Sequence, residues 1–125
     1  MWCCLVGSEM CIRDRNWTEP PRRTKVLIQP TTLNTIREGL RKVVSEGTGF
    51  GLNGPGIPSA GGKTGTAEDS TGGPDHAWFA TYAPYPEGQI VIVAFAQNTP
   101  GGGSVHALPM AKKVMEVWNR TRTQS

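Results

Sequence analysis

The residues Gly61-Gly62-Lys63-Thr64-Gly65-Thr66-Ala67-Glu68 admit two structures with opposite consequences. A phosphate-binding loop needs a glycine, four residues, then Gly-Lys-Ser/Thr. With 62–64 as its end, that first glycine belongs at position 57, where Ile57 stands, and Gly56 is one residue off. Such a loop must also open into a helix whose N-terminus faces the anion. Residues 66–74 (TAEDSTGGP) carry no helical apolar period, so the phosphate loop is rejected. The alternative is a strand over 61–67. Alternation then puts Thr64 and Thr66 on one face and Lys63 and Gly65 on the other. Two hydroxyls on one face can both donate to a carboxylate, and the long stem of Lys63 can bring its ammonium round to the same place. Gly65 clears space where a ligand would lie close against the strand.

Working outward, residues 31–46 form the first helix. Leu33, Ile36, Leu40, Val43 and Val44 recur at the spacing of one helical face. Thr31 or Thr32 is the expected N-cap, and Gly47 the expected left-handed stop. Arg37, Glu38, Arg41 and Lys42 lie mostly off the apolar face. Before this helix, residues 25–29 (KVLIQ) read as a brief strand. After it, residues 47–62 hold seven glycines and two prolines in sixteen positions, a linker or a functional loop.

Residues 76–83 (HAWFATYA) and 89–97 (QIVIVAFAQ) are rich in aromatic and β-branched side chains and bounded by turn formers. The five residues 84–88 (PYPEG) between them are short enough for a hairpin, so the two strands should be antiparallel neighbours. Nearly every residue of the second is apolar, which predicts a central strand covered on both faces. A second helix is expected from an N-cap at Ser104 to about Arg120. Its stripe would be Ala107, Met110, Ala111, Val114, Val117 and Trp118, with Pro109 in the first turns, and residues 121–125 fraying. The fold class is therefore α+β: an antiparallel sheet flanked by helices.

The chain has 125 residues, enough for one small domain or part of a larger one. Net charge is +3, but the basic residues are scattered and do not alternate with aromatics, so no nucleic-acid partner is expected. Cys3, Cys4 and Cys11 crowd one end and offer neither a disulfide framework nor zinc spacing. No metal or other cofactor is expected. No apolar run reaches the ~18 residues of a membrane helix. Residues 1–15 (MWCCLVGSEMCIRDR) differ in composition from the rest and resemble translated sequencing-adapter read-through. They are read as a non-native leader, with 16–125 as the domain segment, and 16–23 as an extended linker around Pro20-Pro21.

Lys-Thr-Gly on a strand is one wall of a serine acyl-transfer site, but the tripeptide alone is common. Its surroundings are specific. Val43-Val44, Gly47-Thr48, Gly62–Glu68, His76–Phe79, Tyr82–Pro84, the apolar run 90–96 and the helix 107–118 follow one another in a fixed order. In that order and spacing, residues 24–119 resemble the transpeptidase domain of penicillin-binding proteins, in particular the class B, elongation-type enzymes. The resemblance implies the C-terminal part of a fold shared with serine β-lactamases. It implies that Lys63, Thr64 and Thr66 bind the terminal carboxylate of a D-Ala-D-Ala stem peptide or of a β-lactam, with Gly65 a substrate-binding position close against the strand. It further implies that the Thr66 N–H is one oxyanion-hole donor. A whole protein of this kind would crosslink peptidoglycan at the periplasmic face of the inner membrane, within a cell-wall elongation complex.

The family's nucleophile motif, Ser-x-x-Lys, and its second motif, Ser-x-Asn, do not occur among the six serines at 8, 45, 59, 70, 104 and 125. Both lie N-terminal to this segment in the family. The chain alone is expected to be inactive. A β-lactam-sensing receptor of the same fold is an alternative, as is a small α+β domain with an accidental Lys-Thr-Gly. A carboxypeptidase or β-lactamase is disfavoured by the Thr-Ala-Glu continuation. The remaining candidates have plainer readings. His76 is a structural histidine, His106 faces solvent, and Glu68, Asp69 and Asp75 form a solvated acidic loop. Trp78, Phe79, Tyr82, Met115 and Trp118 pack, and residues 101–103 connect, with a substrate-side lid as the lesser reading.

Overall fold

The computed structural model describes residues 27–69 and 72–123. The 1–15 leader, the 16–23 linker and part of the brief 25–29 strand lie outside them. Within the described residues, 27–29 lead into the first helix without forming a strand, and Leu27 is exposed.

Helix α1 spans Pro30–Ser45. Its start differs from the expected threonine cap: Gln29, extended, holds the cap position and Pro30 occupies the first turn. Proline suits that turn because its fixed φ is helical and its missing N–H would have had no partner there. The end differs too. Gly47 is not left-handed; the helix closes when the Gly47 and Gly49 amides donate to the Val43 carbonyl at 3.2 and 2.9 Å.

Strands β1 (Gly61–Ala67), β2 (His76–Ala83) and β3 (Ile90–Ala96) form one antiparallel sheet in the order β1-β2-β3. The register sets Thr64 opposite Phe79 and Thr66 opposite Ala77, then Phe79 opposite Ala94. The hairpin at 84–88 is as expected, with cis peptides before Pro84 and Pro86. Among the described residues β3 is not the central strand that its composition predicted. β2 is the central strand, and β3 is an edge whose Ile92 and Ala94 are buried while Val91, Val93 and Phe95 stay open to solvent. An all-apolar strand is built to be covered on two faces, and among the described residues only one face has a cover.

The terminal helix is divided. Helix α2 (Gly102–Val105) follows a left-handed Gly101 with φ 102°, and α3 (Ala107–Thr123) begins after a break at His106. Ser104 thus lies inside α2 and caps nothing. The break has a cause in Pro109, which has no N–H to offer the Val105 carbonyl and whose ring would crowd it in a continuous helix. Restarting at Ala107 leaves Pro109 in a first turn. α3 continues to Thr123, past the expected fraying point.

The core is small. Phe79, Leu52, Met115 and Val44 are its largest fully buried side chains, joined by Ala77, Ala83, Ala107, Leu108 and Ala111. α3 therefore buries a narrower stripe than expected, with Met110, Val114 and Val117 about half exposed. The buried Thr81 hydroxyl donates to the Gly61 carbonyl at 2.8 Å, so its burial leaves no unmet polar group. α1 packs chiefly on β1, and α3 on β2 and β3.

The glycine-rich stretch 47–62 is held at several points. Residues Phe50–Leu52 make a short 3₁₀ turn that buries Leu52. Asn53 Nδ2 donates to the Val44 and Phe50 carbonyls at 2.6 and 3.1 Å. Lys112 Nζ donates to the Gly51 and Asn53 carbonyls at 2.9 and 3.0 Å. Arg41, expected toward solvent, instead donates to the Ala60 carbonyl at 3.0 Å, tying α1 to the entry of β1.

Candidate functional site

β1 pairs with β2 along one edge only, so its other edge is free among the described residues. Beside it lies a polar cavity of about 420 Å³, lined by Lys63, Thr64, Gly65 and Thr66, with Thr48 from the turn after α1 and Gly101, Gly102, Gly103 and Ser104 from the turn and helix α2. All four residues singled out in the sequence therefore come together.

The lining holds one ammonium, four side-chain hydroxyls and no carboxylate. Such a set attracts an anion with several acceptor oxygens. Lys63 is exposed, and its ammonium folds back onto the Thr64 carbonyl. Thr64 is half-buried, and its hydroxyl lies 2.7 Å from that of Thr48. Thr66 is exposed, beside Gly102.

The glycines at 101–103 are more than a connection. Gly103 is buried so close to β1 and β2 that a Cβ there would sit 2.0 Å from the Trp78 carbonyl oxygen and 2.9 Å from that of Gly65. Gly102, with φ 72°, leaves room for the Thr66 hydroxyl, which a Cβ would approach to 2.7 Å. Backbone can thus lie against the strand and wall the cavity. Sequence reasoning missed Thr48 and Ser104, and gave residues 101–103 a place on the substrate side only as its lesser reading. The triple glycine was the available signal, since three consecutive glycines suit close backbone approach.

The other candidates fall outside the cavity. His76 Nδ1 accepts the Asn98 N–H at 3.1 Å, and its ring meets Phe95 edge-on at 5.7 Å, as a structural histidine would. His106 corrects its solvent-facing reading. It is half-buried, with Nε2 2.6 Å from the Pro100 carbonyl oxygen, and so braces the turn that walls the site. The Asp75 carbonyl accepts the Thr99 N–H at 2.8 Å. Phe79 is core, whereas Trp78 is 41% exposed and packs on Phe95 at 4.4 Å.

A second cavity, about 350 Å³ and mainly apolar, lies between α1 and the β2–β3 hairpin, lined by Leu33, Ile36, Leu40, Tyr82, Ile90 and Val91 among others. The Tyr82 hydroxyl is buried there without a hydrogen-bond partner among the described residues. Burial pushes its pKa above the ordinary tyrosine value, with Tyr85 adding to the rise and Arg37 opposing it. No helix among the described residues is long and apolar enough to cross a membrane.

Comparison with known proteins agrees with this geometry. The model of the penicillin binding protein transpeptidase domain matches residues 5–116, a span that begins inside the 1–15 stretch and ends in α3. Peptidoglycan D,D-transpeptidase MrdA of Haemophilus influenzae is 46% identical over 48 residues, covering 38% of this chain and 7% of the relative. The protein of the same name from Acinetobacter baumannii is 31% identical over 104 residues, covering 72% of this chain and 15% of the relative. The chain therefore spans less than a sixth of these relatives.

Solved structures superpose as well. The D,D-transpeptidase domain of a peptidoglycan glycosyltransferase from Eggerthella lenta has a TM-score of 0.62 at 27% identity, over 89% of this chain and 25% of that one. A chain of a peptidoglycan synthase complex that coordinates polymerization and crosslinking has a TM-score of 0.63 at 41% identity, over 75% of this chain and 17% of that one. With the family model matching most of its length and the fold superposing on solved transpeptidase domains, the chain belongs to the penicillin-binding protein transpeptidase family.

Proposed function

We propose that the β1 cavity is the carboxylate-recognition wall of a peptidoglycan D,D-transpeptidase of the class B, elongation type, and that this chain is its C-terminal part. One observation carries the reading: Lys63, Thr64 and Thr66 share a single cavity that has hydroxyls, one ammonium and no acid. A stem peptide ending in D-Ala-D-Ala would lie along the free edge of β1 by strand addition. Its terminal carboxylate would receive hydrogen bonds from the Thr64 and Thr66 hydroxyls and the field of Lys63.

The chemistry is acyl transfer in two steps. A serine hydroxyl attacks the carbonyl between the two D-alanines; the C–N bond breaks, the serine proton passes to the departing amine, and terminal D-alanine leaves. The amine of a second peptide then attacks the ester, forming the crosslink and returning the proton to serine. The Thr66 backbone N–H supplies one of two oxyanion donors, a contribution of about 3 kcal/mol to the transition state. A β-lactam enters by the same carboxylate contact and stops at the acyl-enzyme.

The serine, its activating lysine and the second oxyanion donor are proposed to come from sequence N-terminal to this segment, since no Ser-x-x-Lys or Ser-x-Asn occurs here. The whole protein would be anchored in the inner membrane, with this domain on its periplasmic face and a cell-wall synthesis complex as its partner. The names of the MrdA relatives and the superposed peptidoglycan synthase complex support the cell-wall role. Reading the genomic frame upstream tests it: Ser-x-x-Lys followed by Ser-x-Asn is expected, and a complete frame without them sinks the proposal.

A further inference from the structure

Thr48 enters the cavity from the turn that ends α1, sixteen residues before Thr64, and the Lys-Thr-Gly strand does not account for it. Its place is built. The Val43 carbonyl takes the amides on either side of it, Gly47 and Gly49, and the Phe50 amide returns to the Gly47 carbonyl at 3.0 Å. Gly49 is buried so closely that a Cβ would meet the Val43 oxygen at 3.1 Å. The Thr48 hydroxyl is thus presented by backbone fixed on both sides, and it stands 2.7 Å from the Thr64 hydroxyl.

A hydroxyl has one proton to donate and two lone pairs. A carboxylate only accepts. For Thr64 to donate to a carboxylate while bonded to Thr48, Thr48 must donate to Thr64. The chain then runs from Thr48 O–H to Thr64 Oγ1, and from Thr64 O–H to the ligand. Each bond polarises the next, and the first one fixes the rotamer that aims the second.

We propose that Thr48 is a positioning residue that holds the Thr64 hydroxyl toward the carboxylate of the bound peptide or β-lactam. This rests on the carboxylate-wall reading of the β1 cavity. It assigns part of the recognition to the turn after α1, outside the strand that carries the motif.

The test uses the full-length protein and compares acylation by benzylpenicillin with acylation by its methyl ester, which has no free carboxylate. Thr48→Val keeps the side-chain shape and removes the donor. It should slow acylation by benzylpenicillin about 3- to 10-fold and leave the rate with the ester unchanged, while Thr48→Ser restores most of the loss. An unchanged benzylpenicillin rate in Thr48→Val, beside a slow Thr64→Val, overturns the positioning role and leaves the wall intact. Equal slowing with both compounds overturns it as well, because a damaged turn would do that. Parent-like rates in both Thr64→Val and Lys63→Met remove the wall itself, and the role of Thr48 with it.

Discussion

Lys63 supplies the one positive charge of the β1 cavity, and four hydroxyls supply the directed hydrogen bonds. The two kinds of contact should fail differently. Lys63→Met removes a charge-assisted contact worth about 1.5–3 kcal/mol, so acylation of the full-length protein by benzylpenicillin should fall roughly 10- to 100-fold, and stopped-flow or gel-based labelling reads it. Tyr82 makes a separate prediction. Its hydroxyl is buried without a partner among the described residues, and its pKa is raised by that burial. The folded form therefore keeps its proton above pH 10, where the unfolded chain has lost it. Stability is fully present below about pH 10 and declines as pH rises through the folded value. Tyr82→Phe removes an unmet polar group. Its thermal midpoint should match or exceed the parent's, and it should lose less stability than the parent between pH 9.5 and 11.

At the scale of elements, β2 is bonded on both edges and carries the buried Phe79, whereas among the described residues β3 is bonded on one edge. Phe79→Ala should cost about 3–5 kcal/mol, comparable with the whole stability of a small domain, and circular dichroism should show it unfolded or nearly so. The elements were legible to different degrees. Period and turn chemistry located α1, the hairpin and the antiparallel pairing within a residue or two. The errors have local causes. Threonines after Pro30 look like caps, but proline itself takes the first turn and moves the cap back to Gln29. Pro109 divides the last helix because of a backbone clash that an apolar stripe does not register. The four motif residues were found from Lys-Thr-Gly, while Thr48 and the 101–103 wall reach the cavity through tertiary contacts across 16 and more than 30 residues of chain. Apart from the triple glycine, no local pattern encodes such contacts.

For the molecule as a whole, the prediction that β3 is central and its observed position at an edge are two views of one fact. Its composition suits a strand covered on both faces, and among the described residues Val91, Val93 and Phe95 remain open, as do Leu33 and Ile36 beside the apolar cavity. The chain matches only 7% and 15% of the length of the MrdA relatives, and on the proposed reading the remaining cover lies in sequence N-terminal to it. Isolated, the 125-residue chain should self-associate through these surfaces, and Val91→Lys with Val93→Glu should shift its sedimentation toward monomer. On the proposed reading, the same division separates binding from catalysis, with the carboxylate wall in this chain and the nucleophile in sequence N-terminal to it. Labelling with a fluorescent penicillin, run side by side on the isolated chain and the full-length protein, tests this most directly. The account predicts a covalent band on the full-length protein and none on the chain; a labelled chain, or an unlabelled full-length protein, would contradict it.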